Sequence, residues 1–157
     1  MLSQLALRGY DANMTLGKTK GVDILLSDPG SGRMLRLEVK TNYRGSHSAG
    51  WSSYLFGKCL SAWIMGEKHE TNEDPDLVYC FVNISEDTKK FRFFIVPSAI
   101  VAKYVKEQHK LWLDSKESHS RTNKMRTFRI GLEEERYPIT TPLASIYEHN
   151  WEFKKSH

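Results

Sequence analysis

The sequence predicts an α/β or α+β domain, and three observations carry that prediction. The segments "DLVYCFVNI" and "RFFIVP" are dense in β-branched and aromatic residues and read as strands. The segment "VDILLSDPGSGRMLRLEVKT" holds two further strand-like runs around a Pro- and Gly-containing turn. "SAIVAKYVKEQHKLWL" then places Ile100, Val101, Tyr104, Val105 and Trp112 at helical spacing, which suits a helix packed on a sheet.

Taken in order, "LSQLALRGY" spaces Leu2 and Leu5 as a helix does and stops at Gly9, so the chain opens on the last turns of a helix cut short at Met1. "DANMTL", "VDILLS" and "RMLRLEVKT" follow as three strands. After a Gly- and Ser-rich loop, "SSYLFGKCLSAWIMGEKHE" is ambiguous, with helix formers in its second half. Ser98 is the expected N-cap of the long helix. "DSKESHSRTNKM" reads as polar loop, "RTFRIGL" as a strand and "PLASIYEHNWEFKK" as a closing helix. No repeat or low-complexity segment divides the 157 residues, so residues 1–157 form one domain, long enough to bury a core without disulfides.

Composition narrows the function only mildly. Twenty-three basic against nineteen acidic residues give a charge of +4, a slight lean toward polyanionic partners. Cys59 and Cys80 lack CxxC spacing and read as reduced, buried thiols. No apolar run approaches the roughly 20 residues of a membrane span, and Arg8 and Asp11 interrupt any signal-peptide core. The expected location is the cytoplasm.

The chemistry concentrates in the hairpin. A turn centred near Gly30 and Ser31 pairs residues whose numbers sum to about 61, which sets Asp23 opposite Glu38. Side chains alternate along a strand, so Lys40 joins Glu38 on one face, while Ile24, Leu26, Leu35, Leu37 and Val39 share the other. Two facing carboxylates repel, and a hard divalent cation such as Mg²⁺ or a nearby ammonium offsets that cost. The same alternation also produces ordinary surface salt bridges, so these three residues alone leave both readings open.

Asp23 followed by Glu38-Val39-Lys40 resembles the D…(D/E)xK core of the PD-(D/E)xK nuclease superfamily, which includes type II restriction enzymes. The run "LALRGYDANMTLGKTKGVDILLSDPGSGRMLRLEVKTN", with "WIMGEKHE", "LVYCFVNI" and "FFIVPS" after it, is similar to small bacterial endonucleases associated with group I introns. The similarity spans about Leu5 to Ser98, with a weaker echo in "NWEF". It implies a restriction-endonuclease-like fold, a central mixed sheet flanked by helices, and a metal-dependent DNA endonuclease. Carried over residue by residue, Asp23, Glu38 and the carbonyl of Val39 would bind Mg²⁺, with Mn²⁺ as a substitute, and Lys40 would orient or activate the attacking water. Cleavage of both strands implies a homodimer or higher homo-oligomer. Two departures stand out: the proline of the family pattern is Val22, and no acid precedes Asp11 on the first helix, where many relatives carry one. The second departure favours an alternative, a nucleic-acid-binding module that keeps the fold without catalysis.

Lys18, Lys20 and Arg44, with Arg33 and Arg36, cluster around the hairpin and suit backbone phosphates, Lys18 and Lys20 first because they lie nearest Asp23. Arg121, Lys124 and Arg126 form a second, weaker basic run. Trp51, Tyr54 and Trp63 suit base stacking or, more simply, a core. The six histidines show no ligand spacing, and neither a nucleophile elbow nor a Gly-rich phosphate loop occurs.

Overall fold

The computed structural model describes residues 1–16, 21–43, 53–132 and 138–153. A five-stranded mixed sheet runs in the order β1 (Asp11–Met14), β2 (Ile24–Asp28), β3 (Arg33–Tyr43), β5 (Leu77–Ile84) and β6 (Phe91–Pro97). Between β3 and β5 the chain forms the short helix α2 (Ser53–Phe56), strand β4 (Cys59–Gly66) and a 3-10 turn, Glu67–Glu70. β3 and β5 are parallel, a pairing that needs a crossover connection, here supplied by the residues between them that include α2 and β4, and every other neighbouring pair is antiparallel. The α+β class, with a mixed sheet flanked by helices, is therefore what the chain adopts.

Both faces of this sheet are covered. On one face, called here the near face, Leu77, Tyr79, Phe81, Phe94 and Val96 pack against Val101, Tyr104 and Val105 of α3 (Ser98–Ser115) and against Trp63, Met65, Phe128 and Ile130. The last four belong to a separate antiparallel ribbon of β4 and β7 (Met125–Gly131). On the far face, Leu26, Leu35, Leu37, Val78, Cys80 and Ile95 meet Leu5 of α1 (Leu2–Ala6) and Trp151 and Phe153 of the tail. The hairpin face that carries Glu38 and Lys40 is covered only around Glu38, which is 3% exposed, while Leu25 and Met34 farther along the same face stay exposed.

The register of the hairpin is the expected one, with Ile24 opposite Leu37 and Leu26 opposite Leu35. Its turn is fixed by Asp28, whose carboxylate accepts from the Gly30 N–H and the Ser31 hydroxyl. One ambiguity is resolved and two expectations fail locally. The stretch rich in helix formers is β4, because Ser61, Trp63 and Met65 point inward while Ile64 points to solvent, the period of a strand. Ser98 begins α3 rather than capping it, and its hydroxyl donates to the Asp74 carbonyl at 2.6 Å. The tail forms one helical turn, α4 (Ala144–Tyr147), then runs irregularly to bury Trp151 and Phe153. No helix of the described residues is long and apolar enough to cross a membrane.

Candidate active site

Glu38 sits mid-strand on the near face with Tyr79 beside it on β5, and Lys40 is the next residue on that face with Phe81 beside it. The Lys40 ammonium lies 2.6 Å from Glu38 Oε1. The second oxygen, Oε2, is buried and finds no hydrogen-bond donor among the described residues. Such an atom costs stability wherever nothing answers its charge. Gly21 borders it: a Cβ built there would stand 3.3 Å from Oε2 and 4.0 Å from the Lys68 ammonium nitrogen. With φ +76 at Gly21, glycine both permits the bend and keeps the approach to Oε2 open.

Asp23 lies just outside β2, exposed, where the chain leaves the ladder. Its Oδ2 accepts from the Val39 N–H at 2.7 Å, while its own N–H donates to the Leu37 carbonyl at 2.8 Å. A carboxylate thus takes the place of a backbone acceptor and is fixed beside the strand that carries Glu38. The repulsion expected between the two acids is offset on both sides, by Lys40 at Glu38 and by the Val39 N–H at Asp23.

Sequence reasoning missed the residues that roof Glu38. The 3-10 turn after β4 inserts His69, 2% exposed, between Tyr79 and the carboxylate. Its Nδ1 is 2.6 Å from the Tyr79 hydroxyl and its Nε2 is 3.8 Å from Glu38 Oε1. Burial, opposed by the Glu38 charge and helped by Lys68 and Lys40, holds the imidazole pKa down at about 4, so it is neutral at physiological pH. Burial, with the Glu38 charge next, pushes the Tyr79 hydroxyl well above its ordinary value and keeps it a proton donor. Ion pairs tie the turn to the start of β7: Lys124 to Glu67 at 3.2 Å, and Arg126 to Glu70. The signal for His69 was present only as a tertiary fact, since it stands 31 residues beyond Glu38 in the chain.

The basic residues divide by what they touch. Lys18, Lys20 and Arg44 lie outside the described residues, as does Trp51. Arg33 is committed to Asp76, the Pro75 carbonyl and the Phe153 carbonyl, and Arg36 to Asp74. Arg126 is buried against Glu70 and does not face solvent. Trp63 is core, donating to the Val82 carbonyl at 3.1 Å and packing on Phe81, so it is not a stacking platform. Lys68, exposed near Glu38 Oε2, is a basic residue at the site that the sequence did not single out.

An open cleft of about 360 Å³ begins at Lys40 and runs between β3 and β4, lined by Thr41, Asn42, Ala62, Trp63 and Ile64. A hollow of about 400 Å³ between α3 and residues 138–147 is remote from these groups. Among the described residues, no three His, Cys, Asp or Glu side chains are grouped to hold a metal ion. The first helix bears no acid, as its sequence "LSQLA" already required, and it buries Leu5 on the far face.

No family model matches the chain, and no curated protein matches it. Among solved structures, it is similar to that of a bacterial homing endonuclease, I-Ssp6803I, over 96% of this chain and 79% of the other, at 14% sequence identity and a TM-score of 0.46.

Proposed function

We propose that the chain is a magnesium-dependent DNA endonuclease of the PD-(D/E)xK type, which hydrolyses a phosphodiester by attack of water. One observation carries the reading: a buried carboxylate whose Oε1 is held by Lys40 keeps Oε2 unanswered, beside a glycine and next to a second, fixed carboxylate. This donor set fits a hard cation, since two carboxylates and a main-chain carbonyl are the oxygen ligands such ions take. Glu38, Asp23 and the Val39 carbonyl would hold Mg²⁺, or Mn²⁺ in its place. Bound there, the ion would supply Lewis acidity toward the phosphate and a more acidic water.

The chain's own residues account for the rest. Lys40 is partly exposed at the head of the cleft, where its ammonium can hold water against the scissile phosphate and steady the charge that develops on it. Lys68, with Lys18, Lys20 and Arg44, would meet backbone phosphates on either side. Cutting both strands of a duplex takes two such sites, so the reading includes a homodimer or higher homo-oligomer. A second reading, a silent nucleic-acid-binding module, is favoured by the absence of a third grouped acid among the described residues.

Incubating supercoiled plasmid and labelled duplexes with the protein, in Mg²⁺ or in chelator, separates the two. Nicked or linear product that needs the metal and disappears in Lys40→Ala supports the nuclease. DNA binding that weakens steeply with salt, without any cleavage in Mg²⁺ or Mn²⁺, supports the silent module.

A further inference from the structure

Building on the nuclease reading, we infer that His69 and Tyr79 are positioning residues for Glu38, fixing its carboxylate so that Oε1 faces Lys40 and the imidazole while Oε2 is presented to the cation. The Tyr79 side chain is fully buried, stacked on Phe81 with ring centroids 5.7 Å apart, and paired through its strand with Glu38. It therefore holds one orientation, and its hydroxyl meets His69 Nδ1 at 2.6 Å. A neutral imidazole carries one N–H. If the tyrosine O–H donates to Nδ1, the ring proton belongs on Nε2, the atom that faces Glu38 Oε1 at 3.8 Å.

That tautomer aims the positive end of the imidazole dipole at the oxygen that Lys40 also contacts. The opposite tautomer would aim a lone pair at a carboxylate already short of donors, which is repulsive. Lys40 and the imidazole both stand on the Oε1 side, whereas Oε2 accepts no hydrogen bond among the described residues, so the two oxygens of Glu38 are unequivalent, and the unanswered one lies toward Gly21 and the exposed Lys68. Neither His69 nor Tyr79 needs to touch a substrate to do this. Partners that orient a metal-binding side chain typically change metal affinity by about 10–100-fold when removed.

The test uses the full chain and two readouts. Long-range proton–nitrogen correlation spectra of the nitrogen-15-labelled, cation-free protein report the His69 tautomer, and Mn²⁺ titration with and without DNA reports the cation site. Expected are a pure Nε2–H tautomer in wild type, a mixed tautomer in Tyr79→Phe, and Mn²⁺ affinity about tenfold weaker in that variant with melting otherwise cooperative. His69→Gln, whose amide can still donate toward Glu38, should retain more affinity than His69→Leu, a difference that a merely space-filling role would not produce. An Nδ1–H tautomer in wild type overturns the inference whether or not the variants fold. Wild type that binds Mn²⁺, with Tyr79→Phe and both His69 variants binding equally well, overturns the inference and leaves the nuclease reading standing. Wild type that binds no Mn²⁺ in either condition overturns both.

Discussion

Asp23 has two tasks that a pair of substitutions can separate. Its charge belongs to the proposed cation site, while its oxygen is the acceptor for the Val39 N–H. Asp23→Ala removes both and leaves a main-chain donor without its partner, at a cost of about 1 kcal/mol. Asp23→Asn keeps an acceptor of the same shape and removes only the charge. Both variants should lose metal-dependent cleavage, and only the alanine variant should melt measurably lower; cleavage retained by either would remove Asp23 from the site. Gly21 makes a second case at the same scale. Gly21→Ala forces a side chain into left-handed backbone, costing about 1–2 kcal/mol, and sets a methyl 3.3 Å from Glu38 Oε2. Chemical denaturation should show the first effect. Mn²⁺ titration should show a further loss of affinity that stability alone does not explain, and unchanged affinity would mean that Oε2 is not the cation's oxygen.

At the level of elements, the ribbon of β4 and β7 is what turns an ordinary hairpin face into a buried site. Phe128 on β7 stacks on Phe81 at 4.2 Å and touches Trp63 and Tyr104, so it clamps the ribbon to the sheet one position from Lys40. Phe128→Ala should cost about 3–5 kcal/mol in denaturant melts and loosen the turn that carries His69. A loss below about 1 kcal/mol would mean the two layers are held elsewhere. The ribbon also marks where the sequence stops being informative. The placement of Asp23 beside the strand of Glu38 and Lys40 was legible because a hairpin is local: the turn sets the register, and alternation then assigns faces. The pairing of β4 with β7 joins Trp63 to Phe128 across 65 residues, and no local pattern encodes it. For the same reason His69 looked like one of six scattered histidines, and Arg33, Arg36 and Arg126 looked like free cations although each has a partner remote in sequence. Ser98 shows the converse, a residue with the right chemistry for a cap whose hydroxyl was drawn to Asp74 instead.

For the molecule as a whole, covering both faces of the sheet leaves two buried imidazoles, and this sets its response to acid. His69 is held down at about 4, chiefly by burial, against an ordinary value of 6.5. His109 on α3 is also lowered, first by burial and then by Arg126 nearby, with Glu70 opposing. In the unfolded chain both bind protons near the ordinary value, and in the folded chain only at lower pH. The unfolded state therefore gains more protons as the pH falls, so stability is full above about 6.5 and declines from there toward about 4. For His69 alone, the loss between about pH 7.5 and about pH 5 is on the order of 2 kcal/mol. Glu148, whose carboxyl is held below its usual value by Arg92, adds a further loss only at lower pH, so it does not obscure this window. Urea melts of the cation-free protein at those two pH values measure the effect directly. In His69→Gln the difference between the two melts should shrink by about 2 kcal/mol, whatever the variant's absolute stability. An undiminished difference would mean that His69 does not become charged on unfolding, and that the imidazole above Glu38 already carries its proton in the folded protein.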